Sequence, residues 1–192
     1  MELDPNINYI ISGIERSGTS MLMQILNAGG LPVAFDRSRT SDENNPKGYY
    51  ELEGGKIINK LMDGTFPLER YKGKFIKITA YGLKYLPLGN YKIIYSERNI
   101  EEILDSMEKM TGIKDKNREE TKKAFVKLND ITKNKIQNRA DTQVLLVSYN
   151  ETILNPKDNI KKICEFLRLA DIDMRNMMTV VDQKLYRQRR KK

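Results

Sequence analysis

Residues 10–26 read Ile-Ile-Ser-Gly-Ile-Glu-Arg-Ser-Gly-Thr-Ser-Met-Leu-Met-Gln-Ile-Leu, and this stretch constrains the fold more than any other. An apolar strand over Tyr9–Ser12 runs into a glycine loop, which opens a helix whose Met21, Leu22, Ile25 and Leu26 share one face. A strand feeding a helix in this way calls for a parallel neighbour, because parallel strands need long crossovers. The loop also aims unpaired N–H groups and the positive end of a helix dipole at one point, where an anion would sit. The spacing from Gly13 to Gly18, then Thr19-Ser20, matches the phosphate-binding pattern G-x-x-x-x-G-K-[ST] except at one position. Thr19 stands where the lysine would be, and the cation is Arg16 inside the loop.

The rest of the chain repeats the same alternation. Short apolar runs at Tyr9–Gly13, Val33–Phe35, Phe75–Thr79, Lys92–Ser96 and Val144–Ser148 read as strands. Helical patterns near Thr19–Ala28, Glu51–Met62, Ile100–Thr111, Arg118–Asn138, Pro156–Leu169 and Met174–Val181 lie between and after them. The expected fold is α/β, a three-layer α/β/α sandwich with a central parallel sheet. Ligands of such sheets bind beyond the carboxyl ends of the strands, the edge where the glycine loop lies. Residues 36–48 carry turn formers without apolar periodicity, and this loop is expected to overhang that edge. With 192 residues and no internal repeat, one domain over residues 1–192 is expected, ending in a basic tail at about 186–192.

The formal charge of +8 favours anionic partners. No apolar run is long enough to span a membrane and the start does not read as a signal peptide. The lone cysteine, Cys164, rules out an internal disulfide, so a cytoplasmic setting is expected. There is no histidine and no cysteine pair, so no metal site is expected. Any base acting at neutral pH must then be a carboxylate, lysine, tyrosine or water.

Triphosphate-handling loops use their lysine on the outer phosphates and a strand-end aspartate on magnesium. This chain has neither: the strand at Lys92–Ser96 leads into Glu97-Arg98. A sulfuryl group carries less charge and transfers without a metal, so one arginine with backbone donors would suffice.

Gly13-Ile-Glu-Arg16-Ser-Gly-Thr-Ser20 resembles the 5′-phosphosulfate loop of sulfotransferases that use 3′-phosphoadenosine 5′-phosphosulfate (PAPS). Arg98 at a strand end and Ser106 eight residues on match a second motif of that family. A third, Val147-Ser-Tyr149-Asn-Glu151 before Asn155-Pro156, resembles its strand–tyrosine–helix segment. Asn45-Pro-Lys-Gly-Tyr-Tyr-Glu51 and Val181–Arg190 are similar to short bacterial and archaeal sulfotransferase-like proteins, so the likeness runs from residue 9 to about 190.

The resemblance implies the phosphate-loop sulfotransferase fold and transfer of a sulfuryl group from PAPS to a hydroxyl or amine, releasing adenosine 3′,5′-bisphosphate (PAP) without a metal. It assigns Arg16, Ser17, Gly18, Thr19 and Ser20 to the 5′-phosphosulfate, Arg98 and Ser106 to the 3′-phosphate, and Tyr149 to the adenosine. Relatives place a basic carboxylate soon after the loop helix, and Asp36 is the nearest by position, with Glu43 and Glu51 next. Longer members bring a basic C-terminal segment over the 3′-phosphate, a role open to Arg187 or Arg189. The acceptor is unassigned among carbohydrate, small molecule, lipid head group and peptide. A kinase with a degenerate loop and a non-enzymatic nucleotide- or nucleic-acid-binding module are the competing readings, with nucleic acid not the expected partner.

Overall fold

The computed structural model describes residues 2–169 and 172–190. Four parallel strands form one sheet: β1 (Asn8–Gly13), β2 (Phe75–Lys77), β3 (Tyr91–Glu97) and β4 (Thr142–Ser148), in the spatial order β2-β1-β3-β4. The chain leaves β1 toward one neighbour and later returns on its other side. The crevice between the carboxyl ends of β1 and β3 is therefore the topological switch point, where open α/β sheets take their ligands.

Strand pleating sends alternate side chains to opposite faces, and helices cover both. Ile10, Ile76, Ile93 and Tyr95 pack with α2 (Ile57–Met62), α3 (Ile100–Thr111) and α4 (Arg118–Gln137) through Leu61, Ile103 and Ile136. Ile11, Phe75 and Ile94 pack on the other face with α1 (Thr19–Ala28), α6 (Pro156–Leu167) and α7 (Met174–Thr179), through Leu22, Ile163 and Met177. Each such aliphatic side chain contributes about 1.5–3 kcal/mol by leaving water. These are the three α/β/α layers the alternation predicts.

Two predicted elements take other forms. Val33–Phe35 is an edge stub: Val33 forms a single parallel bridge with Phe75. The Asp36 N–H turns away to the Glu51 carbonyl at 3.0 Å, which ends the pairing. The helix expected over Glu51–Met62 begins only at Ile57, because Gly54 and Gly55, with φ of 62° and 85°, break it into a single 3-10 turn (Glu53–Gly55) and α2. The structure also contains α5 (Tyr149–Leu154), a short helix capped by Ser148, whose Oγ accepts the Glu151 N–H.

Candidate active site

Sheet register assembles the site. Gly13 of β1 lies opposite Ser96 of β3, and Glu97 opposite Ser148 of β4. The segments that follow these ends, the glycine loop, Arg98 and Tyr149, therefore emerge side by side.

The loop is held by contacts that only its own residues permit. Arg16 sits in the left-handed region at φ 66°, a conformation costing of order 1–3 kcal/mol that its surroundings must maintain. They do so through its carbonyl, which accepts from Arg98 Nη1 at 3.0 Å, and through Ser96 Oγ, which donates to the Ser17 carbonyl at 2.7 Å. Gly18 has φ 99°, and the Tyr149 ring lies against it so closely that a Cβ there would sit 2.1 Å from the ring. Arg16 then reaches across the crevice, donating from Nε to Ser106 Oγ at 3.0 Å. The guanidinium of Arg98 stacks 4.5 Å from the centre of the Tyr149 ring.

A cavity of about 300 Å³ opens above this arrangement. Arg16, Gly18, Thr19, Ser20, Arg98, Ser106 and Tyr149 all line it, so the loop and the Arg98–Ser106 pair face one space. The N–H groups of Gly18, Thr19 and Ser20 have no backbone acceptor among the described residues. Ser17 departs from its expected part: its N–H bonds the Ile14 carbonyl at 3.1 Å and its buried side chain does not line the cavity.

Asp36 likewise lies away from the cavity. Its Oδ1 accepts the Ser38 N–H at 2.8 Å and its Oδ2 the Glu53 N–H at 2.6 Å. Burial raises its pKa, but the Ser38 hydroxyl bonded to Oδ1, together with these two N–H groups, outweighs it and holds the carboxyl below its ordinary value, a poor setting for a base. Asp36 organises a turn.

Glu51 does line the cavity, as do Glu15 and Asp182, and it is the one of the three paired with Lys77. Its Oε1 pairs with Lys77 Nζ at 2.8 Å and its Oε2 with Arg39 Nη1 at 3.0 Å. Lys77, at the end of β2, also donates to Ser20 Oγ at 3.2 Å, which links it to the glycine loop. Burial pushes the Lys77 ammonium below the ordinary lysine value, and Glu51 pulls it partly back. Arg39 lies 3.4 Å from the centre of the Tyr49 ring, whose hydroxyl donates to Asp42. Lys77 and Arg39 both escape sequence reasoning. The one available signal is a lysine inside the apolar run Phe75-Ile-Lys-Ile, yet Lys92 offers the same signal and its Nζ reaches only the Phe166 carbonyl, at 3.1 Å.

A parallel sheet with a glycine loop at its switch point, beside a cavity lined by several cations, defines a phosphate-loop-like α/β fold. The family follows from the sequence: residues 6–184 match the model of the sulfotransferase domain, and the chain belongs to that family. No curated protein matches it significantly. Among solved structures, the sulfotransferase domain of the Synechococcus PCC 7002 olefin synthase superposes with a TM-score of 0.59 at 16% identity, covering 94% of this chain and 78% of that one. Mouse sulfotransferase SULT7A1 complexed with PAP gives 0.58 at 18% identity, covering 94% of this chain and 66% of that one. These likenesses establish the sulfotransferase fold. Among the described residues no helix is long and apolar enough to cross a membrane.

Proposed function

We propose that this protein transfers a sulfuryl group from PAPS to an acceptor hydroxyl or amine and releases PAP. The observation that carries the reading is that Arg16, Gly18, Thr19 and Ser20 line one cavity with Arg98 and Ser106, and Arg16 Nε lies 3.0 Å from Ser106 Oγ. A nucleotide with anionic groups at its 5′ and 3′ positions suits a cavity that both Arg16 and Arg98 line.

The residues present suit such a ligand chemically. The N–H groups of Gly18, Thr19 and Ser20, together with Arg16, offer donors to a 5′-phosphosulfate where leaving-group charge develops. In this reading Arg98 and Ser106, which line the cavity, take the 3′-phosphate, and the Tyr149 ring beside Gly18 takes the adenosine. Lys77 neutralises charge on the transferring oxygens, since it touches both Ser20 of the loop and Glu51. Glu51 takes the acceptor's proton as the oxygen–sulfur bond forms and the bond between sulfur and the 5′-phosphate oxygen breaks. Thr19, in place of the loop lysine, disfavours the kinase reading.

Calorimetry tests the reading. PAP should bind tightly and ATP–magnesium weakly, and Arg98→Ala should reduce PAP affinity about tenfold or more. Magnesium-dependent ATP binding in preference to PAP would reassign the protein to the kinases. Transfer from labelled PAPS to a panel of carbohydrate, small-alcohol, lipid and peptide acceptors then identifies the acceptor.

A further inference from the structure

Glu102 lies in the first turn of α3 and is 1% exposed, yet nothing above gives it a task. Its two carboxylate oxygens face different parts of the molecule. Oε2 accepts from Arg98 Nε at 3.2 Å and from Asn150 Nδ2 at 3.0 Å. Oε1 accepts from the Tyr186 hydroxyl at 2.6 Å and from the backbone N–H of Arg190 at 3.2 Å. One buried carboxylate therefore joins a nucleotide-site arginine to the C-terminal segment.

That segment crosses the cavity. Arg190 pairs with Asp105 on the next turn of α3 at 2.7 Å, while Arg187, which lines the cavity, donates to the Glu43 carbonyl at 2.8 Å. Lys47 of the same loop donates back to the Val180 carbonyl at 2.9 Å. The span thus runs from α3 to the loop that carries Tyr49 and Glu51.

Burying a carboxylate is costly unless its partners are complete, and here each oxygen has two donors. An unrestrained arginine also carries about 2 kcal/mol of rotamer entropy that a ligand would have to quench. Arg98 is restrained on several sides: Nε by Glu102, Nη1 by the Arg16 carbonyl, and its face by the Tyr149 ring. Among the described residues, Nη2 donates to no protein acceptor.

We propose that Glu102 is a positioning residue: it fixes the plane of Arg98 for the nucleotide's 3′-phosphate with one oxygen, and with the other it latches the C-terminal segment across the cavity. The inference rests on the PAPS reading and adds that 3′-phosphate binding and docking of the segment are linked through this carboxylate.

The test compares PAP with adenosine 5′-phosphate, which lacks the 3′-phosphate, by calorimetry on the full chain. Wild type should prefer PAP. Glu102→Gln should cut that preference about fivefold to tenfold while leaving the affinity for adenosine 5′-phosphate nearly unchanged, and should add nothing in an Arg98→Ala background. A merely structural role would weaken both nucleotides together, and that result, or an unchanged preference, overturns the positioning role alone. A wild type with no preference overturns the nucleotide reading and this role with it. A second measurement stands even if Glu102→Gln does not fold. Tryptic cleavage after Arg187–Arg190 should slow with PAP more than with adenosine 5′-phosphate, and Tyr186→Phe should shrink that difference. Equal protection by both nucleotides overturns the link.

Discussion

Arg16 and Ser106 are separated by 90 residues in sequence, yet Arg16 Nε and Ser106 Oγ meet at 3.0 Å. The bond joins the glycine loop after β1 to the second turn of α3, across the crevice between β1 and β3. Ser106→Ala removes it along with a hydroxyl donor to the cavity. PAP affinity should fall about threefold to tenfold, with stability lower by about 1.5–3 kcal/mol, as for one hydrogen bond to a charged group. Calorimetry beside urea denaturation separates the two effects, and an unchanged affinity would remove Ser106 from the nucleotide site.

Glu51 and Asp36 give opposite expectations. Glu51→Gln should lower kcat about 10²-fold or more while PAP binds as before, the pattern of a lost general base. Asp36→Asn should leave the rate near that of wild type and cost about 1 kcal/mol of stability, since it weakens a turn. Single-turnover transfer from labelled PAPS and thermal denaturation check both variants. A dead Asp36→Asn with intact stability would return the base role to Asp36.

Gly18 and Tyr149 are fitted to each other. Gly18→Ala puts a methyl group 2.1 Å from the tyrosine ring at φ 99°, and should cost about 2–4 kcal/mol. Adding Tyr149→Ala removes the collision but not the backbone strain, so the double variant should be more stable than the two separate costs predict. Chemical denaturation of the four proteins gives the coupling, and strict additivity would contradict the contact.

At the opposite end of the sheet, Asp141 accepts from Arg139 Nε and Nη2 at 2.8 and 2.7 Å and from the Gly89 N–H at 3.0 Å. The Arg139 bonds, helped by Gly89 and Thr142, hold its carboxyl well below the usual carboxylate range. A depressed folded-state pKa contributes stability above the unfolded value, about 3.9, and that contribution is lost as pH falls through the folded value. Asp141→Asn should therefore cost about 1–2 kcal/mol at pH 7, with the gap to wild type narrowing below about pH 4. Urea denaturation at several pH values measures the narrowing. A gap independent of pH would show that the ion pair is not its source.

The elements legible in the sequence are those whose signals are contiguous. Strand, loop and helix from Asn8 to Ala28 follow one another without interruption, and Arg98 and Ser106 are joined by one strand end and one helix. Tyr149 is legible for the same reason, as the residue that closes a strand. Which carboxylate borders the cavity was not legible, because Asp36 and Glu51 both lie in a polar segment without periodicity. Which of them faces the cavity depends on backbone at Tyr50 and Glu53 with φ of 54° and 50°, values that side-chain chemistry does not announce. The edge stub at Val33 was lost to a single N–H that turned toward Glu51. The spacing Ser148-Tyr-Asn-Glu151 is a helix-capping signal for α5 that a strand-and-turn reading of that segment leaves unused.

Arg98 rests against Glu102, and Lys77 against Glu51, so two of the cavity's cations already have an internal counter-ion. Those two side chains are therefore oriented before any ligand arrives. A polyanion meeting them would spend little of its binding free energy on ordering them.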